Sequence, residues 1–318
     1  MTEASVHPCL VCGAPTRRMF DAVAEGFAVA ACGACGSART TPPLDADAMS
    51  AWYPQTYYGN RNVRFNPLFE RMTRWFRRRR VGVIRKLTAP GAVLDVGCGR
   101  GFTLSFLRAA GYRGVGVELS PAAAHHARQS LGLDVRAGDF LTLPFALEEF
   151  DVIIFWHSLE HVADPMRALD RARELLRPGG LLVIAVPNFS SIQARLSGRQ
   201  WFHLDVPRHY VHFSARGLLG ALRRRGFRIV DVAHFSLEQN PYGWIQSLLN
   251  RVFRHNLLYT VLKEKSARID NLRHYPLQTI ATAVAGVLLL PLAMLLIAIE
   301  TLLRRGGTVE VYARKENG

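Results

Sequence analysis

The stretch Ala92–Gly101, AVLDVGCGRG, constrains this chain more than any other. An apolar run ending at Val96 reads as a buried strand, and Gly97, Gly99 and Gly101 then make a turn that residues without a Cβ form most readily. A helix beginning near Phe102 follows. A strand, a glycine turn and a helix in that order open a crossover unit, and repeated units build a parallel sheet covered by helices. The glycines also let backbone and ligand approach closely at a helix N-terminus, as in dinucleotide sites.

The alternation continues down the chain. GVGVELS reads as a strand ending in Glu118, residues 121–131 as a helix, and residues 133–138 as a strand that delivers Asp139. FDVIIFW (150–156) is a further strand, residues 164–177 a helix, and RPGGLLVIAVPN a turn and fifth strand. This series resembles the class I S-adenosylmethionine-dependent methyltransferases, from about residue 90 to 236 and again over TVEVYARK (308–315), which resembles their last, antiparallel strand. The resemblance implies an α/β fold, a Rossmann-like doubly wound sheet of seven strands, with S-adenosylmethionine as cofactor. It puts Asp95, Gly97, Gly99 and Gly101 at the methionine end, Glu118 on the ribose hydroxyls and Asp139 beside the adenine, with Cys98, Leu119 and Phe140 nearby. A nicotinamide-dependent dehydrogenase would want G-x-G-x-x-G, and position 102 is Phe. Residues 188–236, with a helix capped by Ser214, resemble the matching segment of ubiquinone-type and sugar-modifying methyltransferases.

Two cysteine pairs precede this core. Cys9-x-x-Cys12 and Cys32-x-x-Cys35 stand nineteen residues apart, within the spacing of structural zinc sites. Gly13 and Gly36 follow the pairs and allow tight turns. Four thiolates fill a tetrahedral shell, so a structural zinc ion is expected. The N-terminus lacks a secretory pattern, which fits thiols kept in a reducing cytosol. The expected units are a ribbon over 1–45, a connector or lid with a basic helix over 46–90, the methyltransferase domain over 91–236 and 308–318, and a helical insertion over 237–307. In the basic helix, Leu68, Met72, Trp75 and Phe76 share one side, and Arg77–Arg80 read as a solvated face.

Methyl transfer to a hydroxyl or carbon needs an aligned acceptor and, near pH 7, a base, commonly histidine. One cluster is His157-Ser158-Leu159-Glu160-His161, which also fits the H-x-x-E-H metalloprotease pattern. A protease would need both histidines on one helix, whereas a strand runs into His157 and Asp164-Pro165 starts the next helix. The second cluster, WFHLDVPRHYVHF, supplies His203, Asp205, Arg208, His209 and His212. The expected base is His157 or His209, with His161 beside them and Asp205 or Glu160 orienting it. Arg208, His203 and His212 would face the acceptor, Arg208 through an acidic group. A catalytic metal held by these groups is the alternative.

Residues 277–303 carry no charge before Glu300. Pro291 splits them into arms of about 20 Å, short of a ~30 Å hydrocarbon core. Arg273 and His274 on one side and Arg304 and Arg305 on the other favour both ends in the cytoplasm. A bent helical hairpin in one leaflet is expected, monotopic on the inner membrane face; a core or homodimer hairpin is the alternative. The preceding segment, with Trp244 and its basic residues, reads as interfacial. A net charge of +15 over 318 residues suits an anionic membrane surface. The acceptor expected is a sugar, lipid-linked glycan or quinone-like molecule. Nucleic acid is disfavoured, because no N-P-P-[FY] tetrapeptide follows the fourth strand and an apolar hairpin does not suit RNA. An RNA methyltransferase and a non-catalytic scaffold are the alternatives.

Overall fold

The computed structural model describes residues 7–24, 26–44, 52, 67–263 and 265–317. The connector over 46–66, apart from Trp52, and the side chain of Leu68 lie outside the described residues. The expected βα alternation is present as β4 (Ala92–Val96), α2 (Phe102–Ala109), β5 (Arg113–Glu118), α3 (Pro121–Leu131), β6 (Asp134–Ala137), β7 (Phe150–Trp156), α4 (Pro165–Leu175) and β8 (Leu176–Pro187). After α5 (Ile192–Ser197) and β9 (Val211–His212) come α6 (Ala215–Arg224) and β10 (Phe227–Ala233). An insertion follows before β11 (Thr308–Lys315). The sheet order is β10-β11-β8-β7-β4-β5-β6. Strands β4 to β8 are parallel, and β11 runs antiparallel to both β8 and β10.

The apolar runs that predicted buried strands are buried on both faces. Val152, Ile153, Ile154 and Phe155 of β7 and Leu181–Val186 of β8 have no accessible surface, as a parallel sheet between helices requires. One face packs under α4 and α6, the other under α1 (Pro67–Leu87), α2 and α3. Local capping agrees with the sequence: Ser120, Asp164 and Ser214 accept backbone N–H bonds at the starts of α3, α4 and α6.

Helix α1 differs from expectation. Met72 and Trp75 are exposed, while Phe76, Arg80, Val81 and Ile84 are buried. Arg80 is therefore not part of a solvated face. Its guanidinium lies 3.6 Å over the Trp156 ring, donates to Thr103 Oγ1 at 2.9 Å and pairs with Glu238 at 3.0 Å. The i, i+4 step from Phe76 to Arg80 to Ile84 carries the arginine inward, and its partners make that burial tolerable.

Strands β1 (Thr16–Ala24), β2 (Phe27–Cys32) and β3 (Ala38–Thr41) form an antiparallel meander, and β9 adds itself to β3. The ribbon is thereby stitched to the loop after β8. Thr40 N donates to Tyr210 O at 3.1 Å, Thr40 Oγ1 to His209 O at 2.6 Å, and Ser214 Oγ to Cys35 O at 2.7 Å.

The insertion comprises α7 (Asn240–Leu249), α8 (Leu257–Lys263), α9 (Lys265–His274), α10 (Pro276–Leu288) and α11 (Leu290–Leu302). The arms α10 and α11 meet at a 49° bend, a kink rather than a full reversal. The break lies at Leu289, two residues before Pro291, because proline tolerates the first turn of a helix but not its interior. Trp244, expected at an interface, is instead buried, its Nε1 donating to Glu300 Oε2 at 2.9 Å. Glu300 Oε1 accepts from Gln193 N at 2.8 Å, so this one carboxylate ties α11 to α7 and α5. Glu300→Ala leaves both donors buried without partners, at roughly 1–3 kcal/mol each. Urea denaturation of that variant is expected to show stability lower by about 2–6 kcal/mol, with Glu300→Gln losing less.

Candidate active site

The turn after β4 has the shape its glycines implied. Gly97, Gly99 and Gly101 adopt φ of 75°, 56° and 77°, where a Cβ is costly. At Gly97 a Cβ would also stand 2.5 Å from Ser158 Cβ. The turn thus lies directly against the residue that follows His157. Across it, Glu118 at the tip of β5 accepts from Gly99 N through Oε2 and from Ser120 N through Oε1, both at 2.8 Å. Two N–H donors fix the carboxylate's direction before any ligand arrives. Asp95 is buried, which pushes its carboxyl up to about 7, and its Oδ2 has no hydrogen-bond partner among the described residues.

The other residues assigned to the cofactor by resemblance fall in different places. Leu119 is exposed at the rim, and Asp139 is exposed with Oδ1 accepting from Leu141 N at 2.9 Å. Cys98 Sγ turns under the sheet, where a Cβ on Gly116 would meet it at 2.6 Å. Phe140 is a core residue packed edge-on against Phe155.

On the other side of the Gly97–Ser158 contact, His157 follows β7 with a φ of 52° and its N–H bonded to Ala185 O at 2.8 Å. A non-glycine residue in that region is strained, and such strain concentrates at functional sites. His157 Nδ1 stands 3.5 Å from Glu160 Oε1, and its buried Nε2 has no hydrogen-bond partner among the described residues. Burial pushes His157 down to about 4 and Glu160 up to about 7.

Residues 159–161 form one 3₁₀ turn, not a helix carrying both histidines. His157 accordingly falls outside the ligand group formed by its neighbours. That group is Glu160, His161 and His209, whose ligand atoms lie within 4.8 Å of one another. The rings of His161 and His209 are 4.6 Å apart. Their Nδ1 atoms face the backbone carbonyls of Arg208 and His203, at 3.1 and 3.0 Å.

The 203–212 loop brings the second cluster over the same end of the sheet. Asp205 Oδ2 is 3.7 Å from His209 Nε2, while Oδ1 is ion-paired with Arg208. The guanidinium offered to an acidic acceptor is thus engaged within the protein. His203 is buried with Nε2 unpartnered among the described residues, and burial pushes it down to about 3. His212 belongs to β9 and sets Nε2 3.2 Å from Thr40 Oγ1, facing the ribbon. Sequence reasoning missed Arg80 and Glu238, which with Trp156 of β7 and Glu310 and Tyr312 of β11 line a small cavity. The inward i, i+4 step in α1 was the available signal.

At the ribbon, Cys9 and Cys35 sulfurs are 3.6 Å apart, as are those of Cys12 and Cys32, and all four lie within 4.8 Å. A tetrahedron with ~2.3 Å metal–sulfur bonds has edges of about 3.8 Å, so the cluster fits zinc.

This sheet order, with a glycine turn and an acidic strand tip, defines an S-adenosylmethionine-dependent methyltransferase. The chain belongs to the methyltransferase-domain family, whose model matches residues 68–232, more than half of it. It is 34% identical over 170 residues to a ubiquinone biosynthesis O-methyltransferase of Cereibacter sphaeroides (strain ATCC 17025 / ATH 2.4.3), covering 50% of this chain and 68% of that one. The corresponding protein of Ruegeria pomeroyi is 31% identical over 184 residues, covering 54% and 73%. A solved complex of the Haloferax volcanii Trm112 methyltransferase activator with a protein assigned as a methyltransferase matches in fold. Its TM-score is 0.52 at 17% identity, over 86% of this chain and 100% of that one.

Removing the Glu118 carboxylate is expected to weaken S-adenosylmethionine binding by about 10- to 100-fold, the worth of a charge-assisted hydrogen bond. Isothermal titration of Glu118→Ala checks this, and unchanged affinity would remove Glu118 from the cofactor site.

Proposed function

We propose that the protein transfers a methyl group from S-adenosylmethionine to a hydroxyl oxygen of a quinone-like, sugar or lipid-linked acceptor at the cytosolic membrane face. His157 is the residue that receives the proton. The observation that carries this reading is the position of His157. It sits at the tip of β7, next to the Ser158 that touches Gly97, with no partner for Nε2 among the described residues and Glu160 3.5 Å from its other nitrogen. The names of the ubiquinone O-methyltransferase relatives support the acceptor class. The burial of Arg80 weakens the nucleic-acid alternative, since it takes one arginine of the run out of solvent.

The cofactor, when bound, supplies a methyl group activated on sulfonium. The chain's own task is to align the acceptor oxygen and take its proton. Burial keeps His157 neutral at pH 7, so a lone pair is available on Nε2. As that nitrogen gains a proton, Nδ1–H faces Glu160, and an ionised Glu160 stabilises the imidazolium. The His209–Asp205 pair is the weaker choice, because Arg208 already neutralises Asp205.

A second reading rests on Glu160, His161 and His209. Their Nδ1 contacts to carbonyls orient the two imidazoles as ligand histidines are oriented. These three residues would hold a divalent cation, which would polarise the acceptor oxygen.

The two readings separate in a methylation assay using labelled S-adenosylmethionine and a panel of polyprenyl catechols and lipid-linked sugars. For the base reading, His157→Ala is expected to keep cofactor affinity and lose at least about 100-fold in kcat. Glu160 is charged above about 7 and neutral below it, so kcat falls as pH drops through 7, and Glu160→Gln abolishes that limb. Chelation that leaves one zinc per chain changes nothing. Loss of activity on such chelation, restored by a divalent cation, with His209→Ala as damaging as Glu160→Gln, supports the metal reading instead. Cofactor binding without turnover on any acceptor, in wild type as in His157→Ala, points to a scaffold.

The ribbon has a part in this reading. We infer that zinc holds Cys9, Cys12, Cys32 and Cys35, and that the ribbon backs the histidine loop through β3 and β9. Purified protein is expected to carry one zinc per chain. Cys9→Ser with Cys32→Ser is expected to lose it and to raise the acceptor KM more than it weakens cofactor binding. Equimolar zinc in that variant refutes the assignment.

A further inference from the structure

We propose that the outward face of α10 and α11 docks on an anionic lipid bilayer, entering it from one side without crossing. These helices have the reverse polarity of a water-exposed pair. The buried positions include Thr279, Thr282, Gly286, Ala293 and Glu300, most of them small or polar. The outward positions are large and aliphatic: Leu277 is 82% exposed, Val287 72%, Leu288 73% and Leu302 84%. No charged residue occurs between His274 and Glu300, and Glu300 turns inward to Gln193 and Trp244. Helices facing water carry charge on that side, and a continuous apolar face of this length marks an interaction surface.

The charges at its rim select the occupant. Arg273 is exposed at one end, beside the His274–Asp270 pair, and Arg304 and Arg305 are exposed at the other. Both ends are thus cationic. A second copy laid on this face in either direction sets arginines against arginines, whereas anionic headgroups neutralise them. Each arm has 13 residues, about 20 Å at helical rise and less than a ~30 Å hydrocarbon core. The two arms together, bent by 49°, have the length and composition to cross, but their inner sides pack against α7 and α8, which leaves only the outward face for lipid. Among the described residues, no single helix is long and apolar enough to cross a membrane. One end of the pair is fastened to the preceding helix α9 and the other to the body at α5. Thr279 Oγ1 donates to Asn271 O, and Arg305 O accepts from Ile192 N. A shallow, one-sided insertion satisfies these restraints.

The face leads to the acceptor side. Glu300 holds Trp244 of α7, and at Gly243 of that helix a Cβ would stand 2.7 Å from His203 Nε2. Resting on the methyltransferase reading, docking sets the histidine loop one helix, α7, away from the bilayer that carries the acceptor. The docking itself does not depend on turnover.

Flotation of the full chain with phosphatidylcholine vesicles, and with 3:1 phosphatidylcholine–phosphatidylglycerol vesicles, tests the proposal. The protein is expected to float with the anionic vesicles and at least ten-fold less with the neutral ones. Leu288→Glu with Leu295→Glu changes two exposed residues, so folding and S-adenosylmethionine affinity are expected to persist while vesicle binding falls at least ten-fold. Arg304→Glu with Arg305→Glu is expected to remove the preference for anionic lipid. No flotation with either vesicle, or flotation unchanged by the Leu288 and Leu295 changes, overturns the proposal. So does a dimer that persists with vesicles present and is dissolved by those changes, which assigns the face to a second copy. Cofactor titration of the same samples keeps this outcome separate from failure of the methyltransferase reading.

Discussion

The contact between Gly97 and Ser158 is the constraint on which the site depends. A turn held at positive φ, with no room for a Cβ, brings the end of β4 against the end of β7. The strands are neighbours in the sheet, so the glycine turn and the turn that carries His157 meet without any long side chain bridging them. His157 follows β7 immediately, and its strained backbone aims the imidazole at Glu160 rather than along the strand.

Two appendages reach the junction from opposite parts of the sequence. The cysteine ribbon extends its sheet through β9 and so fixes the loop carrying His203, Asp205 and His209. The insertion before β11 is anchored through Glu300 to α5 and α7, and α7 closes on His203. The same loop is therefore held by a metal-sized thiolate cluster on one side and by a helical unit with an apolar outer face on the other. Its buried histidines are kept neutral by loss of water, whereas Glu160 is kept near neutrality by the same loss acting on the opposite charge.

Much of this was legible in the chain. The order of strands and helices followed from apolar runs and glycine turns, and Ser120, Asp164 and Ser214 announced their helix starts. The Cys9–Cys35 set was readable from spacing alone. The arginine run misled, because a periodic reading counts charge as outward, and Arg80 is drawn inward by Trp156, Thr103 and Glu238 from three other elements. Trp244 misled for the same reason: its partner, Glu300, lies 56 residues away. Arg208 looked available to an acceptor until Asp205, three residues earlier, was seen to hold it.

Local chemistry in the sequence determined the glycine turn, the acidic strand tips, the thiolate cluster and the uncharged tail, since each depends on residues close together along the chain. Tertiary structure decided which histidines of the two clusters come together, which arginine is buried, and which face of the tail meets solvent. Those outcomes depend on pairings between distant segments, and on how much water each group loses when the segments close on one another.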